Sequence, residues 1–232
     1  MTAALSGRVA VVTGASRGIG AAISCALSGA GATVVRLART LVERRETWGM
    51  DLACDVTDAA QVARCATTIR ETLGPATILV NNAGSFLLAP LAETTRADFD
   101  RQYAVNATAP FLVAQAFLPT MVEAGGGRHI TIGSVADHVG FPGNAAYVAS
   151  KYAVRGLHEV LRAEFGPRGI RCTLVSPGPT DTAVWDPIDP DSRPGFTPRR
   201  AMLRPEDVAQ AVAFVATRPS HVDLDWLRLG PA

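Results

Sequence analysis

The feature that most constrains this chain is a regular alternation of short, β-branched apolar runs with helix-forming stretches. Arg8 to Thr13 (RVAVVT) is apolar enough to be buried on both faces and closes on a glycine-bearing turn, as a strand inside a parallel sheet does. Gly18 to Ala30 follows with Ile19, Ala22, Ile23, Ala26 and Leu27 at helical spacing and stops at Gly29 to Gly31. Thr33 to Leu37, Met50 to Cys54, Ile78 to Val80, His129 to Ile132, Arg171 to Val175 and His221 to Leu229 read as further strands. Helices are predicted between them: one capped by Asp58, one over Asp98 to Val122 that Pro110 and Pro119 should kink or bound, one over Asn144 to Phe165, and one opening at Arg204. This pattern predicts one α/β domain over residues 1–232, a doubly wound parallel sheet with helices on both faces.

Two stretches depart from the rhythm. Only 15 residues separate Arg39 from Asp55, so the helix between the second and third strands should be very short. Asp181 to Arg200 holds Pro187, Pro190, Pro194, Gly195 and Pro198, and is long for an ordinary connection. It reads as a flexible substrate flap around 181–200.

Charge excludes some partners. Lys+Arg 22 against Asp+Glu 21 gives +1 with no long block of one sign, which argues against a nucleic-acid or membrane surface as partner. No apolar run reads as a membrane span, and the opening residues lack a basic leader with a cleavage site, so a soluble cytoplasmic protein is expected. Cys25, Cys54, Cys65 and Cys172 are too scattered for a metal site and are expected as small buried hydrophobes; no metal is predicted.

Thr13 to Gly20 (TGASRGIG) lies between the first strand and the first helix. Glycines there let the backbone approach a pyrophosphate, while the helix N-terminus supplies N–H donors and positive dipole. The spacing is G-x-x-x-G-x-G, distinct from G-x-G-x-x-G. Arg17 within the turn and Arg39 just after the second strand favour a 2′-phosphate, where an acid would select the free 2′-hydroxyl of NAD. The cofactor expected is therefore NADP(H).

Tyr147 and Lys151 stand four apart on the alanine-rich helix, which puts both on one face. Lys151 is the only lysine among 22 basic residues. A lone lysine would fall four after one of three tyrosines by chance roughly once in eighty placements. A compact ammonium beside a phenol stabilises the phenolate, lowers its pKa and makes a usable acid or base, for which guanidinium is no substitute.

Thr13 to Gly20, Asn81 to Gly84 (NNAG), Asn106, Ser134, Tyr147 with Lys151, and Pro177-Gly178 stand in the order and approximate spacing of the short-chain dehydrogenase/reductase family, which the chain resembles over nearly its whole length. The resemblance implies a Rossmann-type fold with strand order 3-2-1-4-5-6-7 and the cofactor at the carboxyl edge. It implies that Tyr147 exchanges a proton with the substrate oxygen and that Lys151 lowers the tyrosine's pKa and binds the nicotinamide ribose. Ser134 would polarise the substrate oxygen, and Asn106 would hold a water linking Lys151 to solvent. Gly14, Ser16, Arg17, Gly18, Ile19 and Gly20 would cradle the phosphates, with Arg39 at the 2′-phosphate and Asp55 and Val56 beside the adenine. Asn81, Asn82, Ala83 and Gly84 would wall the adenosine side, and Pro177, Gly178, Thr180 and Thr182 the nicotinamide face. The C-terminal stretch from Arg204 is similar to NADP-dependent carbonyl reductase and hydroxy-acid dehydrogenase branches. Such proteins commonly assemble as homotetramers or dimers through the two long helices, Asp98 to Val122 and Asn144 to Phe165.

Phe86, Asp137, His138, Val139, Phe141, Trp185, Ile188 and Phe196 are candidates for the substrate pocket because they fall on loops after strands and on the flap. That mostly apolar set predicts a small-molecule carbonyl or alcohol substrate without phosphate groups. The competing reading is a catalytically silent dinucleotide-binding sensor or structural protein of the same fold.

Overall fold

The computed structural model describes residues 3–232. Its elements are β1 (Val9–Thr13), α1 (Gly18–Gly29), β2 (Thr33–Ala38), β3 (Arg44–Glu46), β4 (Gly49–Ala53), α2 (Ala59–Leu73), β5 (Ile78–Asn81), α3 (Arg96–Tyr103), α4 (Ala109–Glu123), β6 (Gly127–Ile132), α5 (Ala145–Phe165), β7 (Ile170–Pro177), α6 (Pro205–Ala216) and β8 (Trp226–Leu229). The sheet order is β3-β4-β2-β1-β5-β6-β7-β8. Every neighbouring pair is parallel except β3 with β4.

The apolar strands are buried on both faces. Val9, Val11, Val35, Leu37 and Leu79 pack against α2, α4 and α5, whereas Ala10, Val12, Val34, Ile78 and Val80 pack against α1 and α6. Successive side chains of one strand thus enter opposite cores, the period-2 arrangement of a doubly wound sheet. The expected order 3-2-1-4-5-6-7 is present as β4-β2-β1-β5-β6-β7-β8, with β3 added at the edge.

That added strand replaces the very short helix expected between Arg39 and Asp55. Asp51 on β4 is 1% exposed and accepts bonds from Arg36 Nε at 2.6 Å and from Arg44 Nε at 2.8 Å. Folding Arg44 back opposite Asp51 completes this cage, and Trp48 at the bend stacks on the Arg36 guanidinium at 4.7 Å. Burial alone would raise the Asp51 pKa, but the two arginines outweigh it and hold the carboxyl below its usual range.

The single helix expected over Asp98 to Val122 is interrupted by a π-helical turn, Ala104–Thr108, that carries Asn106. Pro110 lies just beyond it and has no N–H to donate, which frees the preceding turn to widen, while Pro119 stays inside α4. Contrary to the sequence expectation, the run Arg96–Glu123 is long and apolar enough, by length and composition alone, to cross a membrane. In the fold, Val113, Ala114, Phe117, Leu118 and Met121 of that run are buried in the core. The last strand is shorter than expected, confined to Trp226–Leu229.

Candidate active site

The carboxyl ends of β1, β5, β6 and β7 open onto one cavity of about 560 Å³. Beside it, where Ile19 enters the lining, the β1–α1 turn is packed too tightly for any side chain at two glycines. A Cβ on Gly14, whose φ is +65°, would lie 2.7 Å from Ala83 Cα, and one on Gly20 would lie 2.4 Å from the Gly14 carbonyl oxygen. The NNAG segment is stapled to this turn. Thr13 Oγ1 accepts from the backbone N–H groups of Asn82 at 2.9 Å and Ala83 at 3.0 Å, and Asn82 Nδ2 donates to the Thr13 carbonyl at 2.9 Å. Asn81, by contrast, points away from the expected adenosine wall, donating to the Pro110 carbonyl at 3.2 Å beside His129.

Tyr147 and Lys151 project from α5 into this cavity, with Lys151 Nζ 5.8 Å from the centre of the Tyr147 ring. Nζ donates to the Ile132 carbonyl at 3.1 Å, so two of its three protons remain for a ligand. Burial sets both acidities here. It pushes the Tyr147 phenol up to about 12, against an opposing hydrogen bond with Ser134, and pushes the Lys151 ammonium down to about 8. Lys151 alone does not lower the phenol in this setting, so further positive charge in the cavity would have to help.

Ser134 is held in place by a residue that the sequence reading put in the pocket. Asp137 is fully buried, not lining; its Oδ2 accepts from the Ser134 backbone N–H at 3.0 Å and from Ser176 Oγ at 2.5 Å. Its Oδ1 lies 2.8 Å from His138 Nδ1. Trp226 Nε1 then donates to Ser176 Oγ at 2.8 Å, tying the arrangement to β8. Ser134 and Asp137 are three apart and form a capping box, a spacing readable in the sequence.

Asn106 is 1% exposed and does not line the cavity. Its Oδ1 accepts from the Ser85 N–H at 2.8 Å, and its Nδ2 donates to the Ser85 carbonyl at 2.9 Å and to Ser150 Oγ at 3.0 Å. It thus pins the loop after β5 to α5 within one turn of Lys151.

Of the remaining sequence candidates, Ile19, Asn82, Gly84, Pro177, Gly178, Thr180 and Thr182 line the cavity, as do Phe86, Phe141, Trp185 and Phe196. His138, Val139 and Ile188 do not. His138 instead packs edge-on against Trp226, and exposed Val139 follows it out of the 3₁₀ turn. Ser16 and Arg17 are exposed on the turn, and Arg39 is exposed just past β2. Asp55 and Val56 follow β4, and Asp55 sits below its usual pKa range chiefly because the Thr57 backbone and hydroxyl donate to it. The sequence reading missed Ser85, Asn144 and Thr197 as lining residues. Ser85 directly follows NNAG and could have been found from it; Thr197 has no local pattern to mark it.

The flap is folded into three 3₁₀ turns, Ala183–Trp185, Pro190–Ser192 and Arg199–Ala201. One guanidinium joins its two ends. Arg199 donates to Asp181 at 2.8 Å and also to Asp186, while Trp185 Nε1 donates to the Thr180 carbonyl at 3.1 Å.

A dinucleotide suits these residues. The α1 N-terminus has no acidic residue in its first turn to compete with phosphate, and the cavity runs from Ile19 beside it to the free donors of Lys151. A glycine turn at a helix N-terminus, leading to a tyrosine–lysine pair at the carboxyl edge of a doubly wound sheet, defines a dinucleotide-dependent oxidoreductase. The short chain dehydrogenase family model matches residues 8–193, and the chain belongs to the short-chain dehydrogenase/reductase family of alcohol and carbonyl oxidoreductases. It is 37% identical over 227 residues to a D-threitol dehydrogenase of Mycolicibacterium smegmatis, covering 92% of this chain and 87% of that one. Among solved structures, a metagenomic short-chain oxidoreductase in complex with NADP superposes with a TM-score of 0.81 at 33% identity, over 99% of both chains. An alcohol dehydrogenase of Thermococcus sibiricus complexed with 5-hydroxy-NADP gives a TM-score of 0.84 at 27% identity, over 97% of both.

Proposed function

We propose that this chain is an NADP(H)-dependent oxidoreductase acting on the carbonyl or secondary alcohol of a small, mostly apolar molecule, and that it works as a homo-oligomer. The observation that carries the reading is the convergence of Ser134, Tyr147 and Lys151 on the one cavity that begins at the dinucleotide turn. The NADP-type ligands of the two structural neighbours support the choice of cofactor, as do the exposed Arg17 and Arg39 at its adenosine end.

Gly14 to Gly20 and the α1 N-terminus would hold the phosphates, Lys151 the nicotinamide ribose, and Pro177, Gly178, Thr180 and Thr182 the nicotinamide face. When bound, the reduced cofactor supplies a hydride to the carbonyl carbon. Ser134 donates a hydrogen bond to the carbonyl oxygen and orients it, and Tyr147 delivers its phenolic proton to that oxygen, completing the alcohol. Oxidation reverses these roles and requires the phenolate. Each pKa unit by which Tyr147 must fall takes about 1.4 kcal/mol of added stabilisation, to which Lys151 contributes in its charged form. Asn106 holds the loop and α5 in register around Lys151.

The test pairs binding with turnover. Titration of the purified protein with NADPH and NADH, followed by tryptophan quenching, is expected to favour NADPH. Tyr147→Phe is expected to lose at least a thousandfold in turnover while still binding NADPH. Substantial residual activity in that variant would refute the catalytic assignment, and binding of neither nucleotide would refute the cofactor.

A further inference from the structure

The substrate half of the cavity is walled by rings. Starting from Tyr147, Phe86 meets the phenol edge-on with centroids 4.8 Å apart, Trp185 tilts against Phe86 at 5.3 Å, and Phe196 meets Trp185 edge-on at 6.4 Å. The series begins at the proton donor and ends on the flap. At the rim, Phe141 and Val184 are 42% exposed each, large apolar side chains left facing solvent where a ligand would enter. Among the described residues no Asp, Glu, Arg or His lines the cavity, and Lys151 is the only basic one that does.

Besides Ser134, Tyr147 and Lys151, the polar side chains lining the cavity are Asn82, Thr180 and Thr182, which the cofactor reading takes up, and Ser85, Asn144 and Thr197, of which Asn144 already donates to the Pro142 carbonyl. A polyol or sugar would leave several hydroxyls stripped of water against aromatic faces without partners, which is strongly unfavourable. A flat or cyclic hydrocarbon group instead gains offset or edge-to-face contact with each ring in turn.

We infer that the substrate class is a ketone, or the matching secondary alcohol, bearing an aromatic or cyclic apolar group on the reacting carbon, with that ring seated among Phe86, Trp185 and Phe196. The inference rests on the proposed oxidoreductase reading and narrows it. It also separates this chain from its 37%-identical relative, whose name specifies a four-carbon polyol. The reaction is the hydride and proton addition described above, with NADPH as reductant.

The test is a matched panel on the wild-type protein: acetophenone and cyclohexanone against butanone with NADPH, and 1-phenylethanol against threitol with NADP+. The ring-bearing compounds are expected to exceed butanone at least tenfold, and threitol at least a hundredfold, in kcat/KM. A binding readout stands beside turnover, with 1-phenylethanol raising the Tm of the NADP+-loaded protein more than threitol does. Phe196→Ala is expected to raise KM for acetophenone about tenfold. Comparable or better turnover of threitol or butanone overturns the inference while leaving the oxidoreductase reading intact. Bound NADPH with no turnover of any panel carbonyl or alcohol overturns both.

Discussion

At the residue scale, the site rests on groups whose charges are unfavourable where they lie. Lys151 is 7% exposed, and burial holds its ammonium near 8 against an ordinary 10.5. A lysine whose folded pKa is depressed makes the unfolded chain the tighter proton binder between those two values. Stability of the ligand-free protein therefore rises with pH from 8 toward 10.5 on account of this residue. Below pH 8 the burial penalty is present in full, up to about 3 kcal/mol by linkage. Lys151→Met is thus expected to be inactive yet more stable than wild type at pH 7, with the gap closing by pH 10. Urea midpoints of both proteins across that range check it, and a gap constant with pH would show that Lys151 is not held near 8. Tyr147 acts in the other direction above pH 10, where the unfolded phenol ionises first, but it is common to both proteins. Asp137 is retained in the interior beside Ser134 because three groups, the Ser134 N–H, Ser176 Oγ and His138 Nδ1, satisfy its two oxygens, and that satisfaction fixes the serine.

At the scale of elements, the flap is organised by one arginine. Arg199 reaches Asp181, four residues past the end of β7, and Asp186 beyond Trp185, and its backbone N–H donates to Asp191 at 2.9 Å. These pairs are solvent-accessible and open to screening by salt. Their use is geometric, since they hold Trp185 and Phe196 over the cavity. Arg199→Met is expected to raise KM for the carbonyl substrate three- to tenfold with kcat changed less than twofold. In wild type, KM should climb between 0.05 and 0.5 M salt, and in the variant it should not. Equal salt dependence in both proteins would remove Arg199 from this role. The same elements mark what could be read in advance. The buried strands and the Tyr147–Lys151 face were legible because apolar period and helical spacing are local properties. β3 was not, because Arg44–Glu46 carries no apolar residue and its place is set by Asp51, a partner on the far side of a turn. The π turn under Asn106 was hidden for a similar reason: prolines were visible, but the wider turn forms ahead of them. The loop position of Asp137 suggests the pocket, and only the strand behind it, with Ser176, shows why it faces inward.

At the scale of the whole molecule, one face carries several exposed large apolar side chains. α4 and α5 lie side by side on the face of the sheet away from α1 and α6, and their outer sides carry Phe111, Tyr152 and Val160, which are 46%, 46% and 50% exposed. On neighbouring α3, Phe99 stacks on Tyr103 and is itself 38% exposed. Large apolar groups on adjoining helices are what the proposed homo-oligomer would use as its association surface, whereas scattered ones would need no explanation. A second copy laid on this face would pair the same helices about a twofold axis, an isologous contact that closes on itself. It would also brace α5, the helix that carries Tyr147 and Lys151, and α3, which leads into the turn holding Asn106. Association and activity should therefore be coupled. Light scattering is expected to give two or four times 24.3 kDa at micromolar protein. Phe111→Glu combined with Tyr152→Glu should reduce that mass and lower turnover with it, because each places a charge where an apolar partner is required. Neither residue lines the cavity, so lost activity in a folded, smaller species would come from loss of the bracing contact. A wild-type mass of 24.3 kDa would discard the assembly, and a smaller variant with full turnover would discard the coupling.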